Sequence, residues 1–151
     1  MRIDRSSPAD LPAIEALLVA SGLPPDGAAA AFGTGLVARA GDRIVGCAAI
    51  EPHGRAGLLR SVAVAPEVRG GGVGSSLVGA AAELAARLGI GELYLLTETA
   101  ADWFPRFGYE SVDRTAVPVE VASSVEFAVA CPATAVAFVR RLPESAVVNR
   151  T

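Results

Sequence analysis

The sequence predicts an α/β (α+β) fold on a mixed sheet, and three observations carry that expectation. Two strand-like runs, "GLVARA" and "RIVGCAAIE", flank Gly41-Asp42, a dipeptide suited to a tight reversal, so part of the sheet is antiparallel. The run "LLRSVAV" leads through a glycine-rich loop into a helix and then into "LYLLT", a strand–loop–helix–strand unit that makes another part parallel. The length, 151 residues, is that of one ordinary domain able to bury its own core, so a single domain over 1–151 is expected.

Each element has a local reason. Ser7 followed by Pro8, with Asp10 three residues after the serine, reads as a helix start; Leu11, Ile14, Leu17, Leu18 and Ser21 then trace one face until Gly22. A second helical piece is expected over 26–32, ahead of the hairpin. From 74 to 88, Leu77, Ala81, Leu84 and Leu88 recur at helical spacing, Glu83 and Arg87 pair on the outer side, and Gly89 closes the end. "LYLLT" is a short apolar strand, "AADWFPRFG" a short helix broken near Pro105, and "YESV" a further strand. "VPVEVASSVEFAVACP" contains helical fragments, and "TAVAFVR" resembles a last strand.

Composition removes several function classes. The net charge of -3, with both signs interspersed, offers no basic stripe, so nucleic acid is not an expected partner. No apolar run approaches the roughly 18 residues of a membrane-spanning helix. The start, "MRIDRSSPAD", carries Asp4, Pro8 and Asp10 where a signal peptide needs an uncharged apolar stretch, and a cytoplasmic location is the expectation. Cys47 and Cys131 are widely separated, with no second Cys or His at ligand spacing, so neither zinc nor any other metal is expected. All 13 basic residues are arginine, which excludes Schiff-base chemistry and lysine-dependent phosphate loops. His53, in the loop-like "EPHGRAG", reads as a solvated turn residue.

Between strand and helix lies "VRGGGVGSS", where backbone N–H groups and the positive end of the helix dipole can converge on an anion. The dinucleotide pattern G-x-G-x-x-G fails, because its third glycine falls on Ser75 or Leu77. The nucleoside triphosphate loop fails for want of lysine. Arg69-Gly70-Gly71-Gly72-Val73-Gly74 matches R-x-x-G-x-G, and Thr97-x-x-Ala100-x-x-Trp103-Phe104-x-x-x-Gly108-Tyr109 follows it in the order of N-x-x-A-x-x-F-Y-x-x-x-G-F. Together these two motifs resemble the acetyl-coenzyme A signatures of the GNAT N-acetyltransferase superfamily.

That resemblance implies a mostly antiparallel central sheet flanked by helices, with a V-shaped splay between the central strands, and acetyl-CoA as cosubstrate. The backbone of Val62, Ala63 and Val64 would pair with the pantetheine arm. Main-chain N–H groups from Arg69 through Gly70, Gly71, Gly72, Val73 and Gly74 to Ser75 would hold the diphosphate, and Arg69 could add a charge-assisted contact. The N–H of Val62 would stabilise the oxyanion formed when an amine attacks the thioester. Two positions depart from the family's pattern: Thr97 stands where asparagine is usual, and Phe104 where the tyrosine that protonates the departing thiolate is usual. Tyr109 and Tyr94 are the remaining phenols, and Tyr109 sits at the usual core aromatic position. Glu51, Glu98 and His53 are bases by residue type, but each reads first as a structural or solvated residue, so no base is identified.

A narrower similarity lies in "LLRSVAVAPEVRG", "YLLTETAADWF" and the tail "VDRTAVPVEVASSVEFAVACPATAV", which look like the arsenic-resistance N-acetyltransferases of the second ArsN branch. It implies a small anionic amino acid such as arsinothricin or phosphinothricin as acceptor. Arg60, two residues before Val62, is then the first candidate cation and Arg106 the second, with a solvated strand face as the other reading of Arg60. Cys131 would line the acceptor pocket or be a buried thiol; Cys47 reads as core. A non-catalytic acetyl-CoA sensor and a protein or peptide N-acetyltransferase are the alternatives to a small-molecule enzyme, and homodimers are common in folds of this kind.

Overall fold

A computed structural model describes residues 1–123 and 135–143 of the chain. Seven strands form one sheet: β1 (Arg2–Arg5), β2 (Gly35–Ala40), β3 (Arg43–His53), β4 (Ala56–Val64), β5 (Glu92–Thr97), β6 (Glu110–Val112) and β7 (Val136–Arg141), in the order β1-β2-β3-β4-β5-β7-β6. The helices are α1 (Leu11–Ala20), α2 (Ala28–Ala31), α3 (Val73–Arg87) and α4 (Val119–Ala122). β1–β2, β2–β3, β5–β7 and β6–β7 are antiparallel, while β4 runs parallel to β5, so the sheet is mixed. The parallel ladder takes in Ala56↔Glu92, Gly57↔Leu93 and Leu58↔Tyr94.

By its contacts the chain falls into two compact units, Met1–Glu51 with Leu59–Ala81, and Pro52–Leu58 with Ala82–Thr151. In the first, Ile14 and Leu18 of α1 lose all exposure against Ala28, Ala31, Phe32, Val37, Cys47, Ala49 and Ala63. The α1 start is built as its sequence suggests: Ser7 N–H and Ser7 Oγ donate to Asp10 Oδ2 at 2.9 and 3.2 Å, through a short 3-10 turn at Pro8–Asp10. In the second unit Tyr94 packs with Ala56, Leu58, Val117, Val121, Ala137 and Val139.

Four details differ from the sequence expectations. β1 is a strand where none is expected, because "RIDR" has a single apolar residue; it forms an edge, paired Arg2↔Arg39 to Arg5↔Leu36, whose charges suit an edge strand. The helix expected over 26–32 is one turn, α2, entered through left-handed Gly27 (φ 75) and followed by a 3-10 turn at Phe32–Thr34. β3 continues to His53, which is half-buried at a strand end rather than in a solvated loop; the reversal falls on Gly54 (φ 68). "FPRF" is a single 3-10 turn ended by left-handed Gly108 (φ 87), because Pro105 supplies no N–H to continue a ladder.

Candidate functional site

β4 delivers the chain to the glycine loop. Val62 and Val64 are half-buried and Ala63 is buried in the first unit's core. Ala65 N–H then donates to Val45 O at 2.8 Å, where β3 bulges against the Ala38/Arg39 step of β2. A 3-10 turn at Pro66–Val68 follows; Arg69 N–H returns to Pro66 O at 3.3 Å and Gly71 N–H to Val68 O at 3.4 Å. Those two amides are spent inside the loop, so the expected row of anion-binding amides narrows to its other members.

The loop uses its glycines for conformation. Gly70 (φ +87) and Gly72 (φ +86) are both left-handed, yet a Cβ at either would meet nothing within 4 Å. Within the chain, backbone angle rather than crowding requires them, and the space beside them stays open. α3 begins immediately after. Its first bond runs from Ser76 N–H to Gly72 O at 3.0 Å, so the amides of Val73, Gly74 and Ser75 have no partner within the helix. Three amides without a partner among the described residues, a 15-residue helix dipole and exposed flanking serines make a place for an anion. Arg69 is exposed and donates Nε to Val64 O at 3.1 Å, which ties the loop back to the end of β4.

Gly46 on β3 contributes in a way that periodicity does not reveal. A Cβ there would lie 2.8 Å from Leu77 Cδ1, 3.1 Å from Val73 Cγ1 and 3.3 Å from Ala63 O. A bare backbone at Gly46 therefore lets the first turns of α3 sit down on β3 and β4.

Upstream of Val62, Ser61 is buried and left-handed (φ 57), the one described residue other than glycine with a positive φ. Arg60 beside it exposes 2% of its surface. Arg60 Nε donates to Ser61 Oγ at 3.0 Å, Nη1 to Glu51 Oε2 at 2.9 Å, and Nη2 to the carbonyl of Asp26. Cys47 Sγ donates to Ser61 O at 3.3 Å, and burial pushes its thiol up to about 12, so it is an inert core group. The expected solvated face for Arg60 is overturned: its guanidinium is fully enclosed and engaged with Glu51. Glu51 is correspondingly an ion-pair partner.

In the second unit, Thr97 Oγ1 accepts from Ala100 N–H at 3.0 Å and so shapes the turn after β5. Phe104 is buried and meets Tyr109 edge-on at 5.7 Å and Trp103 at 5.0 Å; Trp103 meets Phe107 at 4.8 Å. Tyr109 is 2% exposed, and its hydroxyl finds no hydrogen-bond partner among the described residues. Burial raises the pKa of Tyr109 well above the usual phenol value, and that of Tyr94 also rises, again chiefly by burial. Arg106 and Glu98 are exposed. Cys131 lies outside the described residues.

With this geometry in place, known proteins give it a family. Residues 31–111 match the model of the acetyltransferase (GNAT) domain. An amino-acid acetyltransferase of Pseudomonas paraeruginosa is 37% identical over 86 residues, 56% of this chain and 20% of that protein. One from Pseudomonas syringae pv. syringae is 43% identical over 75 residues, 47% of this chain and 17% of that protein. The chain thus spans about a fifth of these curated relatives. Among solved structures, Rv2747 of Mycobacterium tuberculosis, in complex with CoA, has a TM-score of 0.80 at 23% identity, covering 95% of this chain and 100% of that one. N-acetylglutamate synthase of Neisseria gonorrhoeae, with coenzyme A and N-acetylglutamate, has a TM-score of 0.81 at 22% identity, covering 95% of this chain and 35% of that one. The fold is that of these proteins, and the chain belongs to the GNAT acetyltransferase family.

Proposed function

We propose that the chain is an acetyl-CoA-dependent N-acetyltransferase that acylates the amino group of a small, amino-acid-like acceptor. The observation that carries it is the pair of left-handed glycines, Gly70 and Gly72, opening onto the amides of Val73, Gly74 and Ser75, which have no partner among the described residues. These amides fit a diphosphate, and the end of β4, with Val62 and Val64 half-buried and Ala63 buried, supports a role for that strand beside the pantetheine arm. Bound acetyl-CoA supplies an activated thioester. The chain would orient a neutral amine for attack, with the Val62 N–H placed to stabilise negative charge on the thioester oxygen; the C–N bond forms as the C–S bond breaks, and the proton lost by the nitrogen passes to water or to the thiolate. Phe104 donates no proton, so the departing thiolate leaves unprotonated or takes a proton from water; with a thiol pKa near 8.5 it is a tolerable leaving group.

The amino-acid character of the acceptor rests on the names of the curated relatives, and the finer arsenic or phosphinate acceptor rests on the resemblance of the tail. Arg60 does not serve that acceptor as a free cation, because Glu51 already engages it. The test is thiol release from acetyl-CoA across a panel of amino acids that includes phosphinothricin and arsinothricin. Release with at least one of them is expected, and none with any would overturn the enzymatic reading. Phe104 favours a second reading, an acetyl-CoA sensor; tight binding of acetyl-CoA without transfer is its signature.

A further inference from the structure

We infer that Arg60 is a positioning residue that locks the left-handed bend of β4 at Ser61 and thereby aims the Val62 N–H; this rests on the acetyl-transfer reading above. A left-handed serine inside an extended strand costs conformational energy and persists only where its surroundings over-determine it. Here they do so from two sides. Arg60 Nε holds Ser61 Oγ at 3.0 Å, and Cys47 Sγ holds Ser61 O at 3.3 Å. The guanidinium is itself immobilised, with Nη1 on Glu51 Oε2 at 2.9 Å and Nη2 on the Asp26 carbonyl. Its side chain is 0% exposed, so water does not compete for these donors.

The geometry has a direct consequence for the next peptide. The φ and ψ angles of Ser61 set the orientation of the plane that carries the Val62 N–H, so a return of Ser61 to extended angles turns that N–H away from its present direction. A donor meant for a developing oxyanion tolerates little misplacement, and an error near 1 Å costs on the order of 10²-fold in rate. Arg60 also joins three sequence-distant segments at one planar fork: the end of β3 at Glu51, the turn after α1 at Asp26, and the bend itself. Lysine keeps the charge for Glu51 but lacks the fork that serves all three.

The test compares Arg60→Lys, Ser61→Gly and the double variant. Arg60→Lys is expected to lower kcat by on the order of 10²-fold while changing KM for acetyl-CoA by no more than about threefold. Adding Ser61→Gly should restore at least about tenfold of kcat, because glycine adopts a positive φ without a clamp. Unchanged kcat in Arg60→Lys, or a double variant as slow as the single, would overturn the inference. Should Arg60→Lys not fold, Ser61→Ala, which removes only the acceptor of Arg60 Nε, is measured in the same way. The NMR Cα and Cβ shifts of Ser61 need no turnover: left-handed values lost in Arg60→Lys support the clamp, and values retained there refute it. A chain that acetylates nothing therefore defeats the enzymatic reading without deciding the clamp.

Discussion

Two buried polar side chains mark two regions of this molecule, and the difference between them separates what the fold builds for orientation from what it merely encloses. On β4, Arg60 gives every branch of its guanidinium to a named acceptor and sits beside a strained serine. After β5, Tyr109 is just as buried, but its hydroxyl finds no hydrogen-bond partner among the described residues, with Phe104 edge-on at 5.7 Å. A polar group with complete partners rigidifies what it touches, whereas an orphaned one costs desolvation and returns little. By that criterion the orienting contacts are concentrated at β4, and the aromatic turn is a packing element.

The sharpest way to break the contrast is Arg60→Met. It takes the buried guanidinium away from Glu51, whose side chain is 18% exposed, and removing one member of such a pair typically costs about 3–5 kcal/mol. Urea unfolding should show that loss. A cost below about 1 kcal/mol would mean that Arg60 holds nothing in place.

Next in size is Gly72→Val. A β-branched residue at φ +86 costs about 1–3 kcal/mol in strain, and its side chain enters the open space before the α3 amides. The dissociation constant for acetyl-CoA, measured by calorimetry, should rise about 10- to 100-fold, and the unfolding midpoint should fall with the backbone strain. Gly71→Ala should lose much less, since Gly71 has no positive φ and its Cβ would meet only Val68 O at 3.3 Å.

A middle case lies at the sheet edge. Arg39 Nη1 and Nη2 donate to Asp10 Oδ1 and Oδ2 at 3.0 and 2.8 Å, a bidentate pair whose arginine is 20% exposed. The Arg39 bonds first, then the Ser7 N–H, hold the Asp10 carboxyl below its ordinary value of 3.8. A depressed folded pKa stabilises above the unfolded value and is lost as pH falls through the folded one. Asp10→Asn should therefore cost about 1.5 kcal/mol at pH 7. The gap from the parent should narrow in thermal melts as pH drops below about 4.

How far the sequence announces these features depends on whether their cause is local. Gly70 to Gly74 are legible because the strand before, the helix after and the angle between are all encoded within a few residues. The Gly41-Asp42 hairpin and the apolar face of α3 are legible for the same reason. Arg60 is visible as a cation next to Val62, but its partners come from β3 and from the turn after α1, so spacing suggests a free charge where the fold makes a buried pair. Gly46 matters through Leu77 and Val73, far along the chain, and no period marks it. β1 escapes notice because an edge strand of alternating charge carries no apolar signal.

Tyr109 gives the smallest effect and the finest discrimination. Its ring fills the second unit's aromatic cluster, so Tyr109→Phe keeps the edge-on contact with Phe104 and removes only a buried oxygen that has no partner among the described residues. Deleting a buried unsatisfied hydroxyl relieves its desolvation cost, and the variant should be more stable by about 1 kcal/mol. Calorimetric melting of the two proteins in one buffer measures this. The same variant tests catalysis, because burial keeps the phenol protonated throughout the working pH range, as a proton donor would require. If kcat is unchanged while the melting temperature rises, the hydroxyl is only enclosed, and the thiolate leaves without help from this turn. If kcat falls while stability rises, the orphaned hydroxyl is a donor kept unpaired for the reaction, and the contrast with Arg60 becomes one between a group that aims and a group that acts.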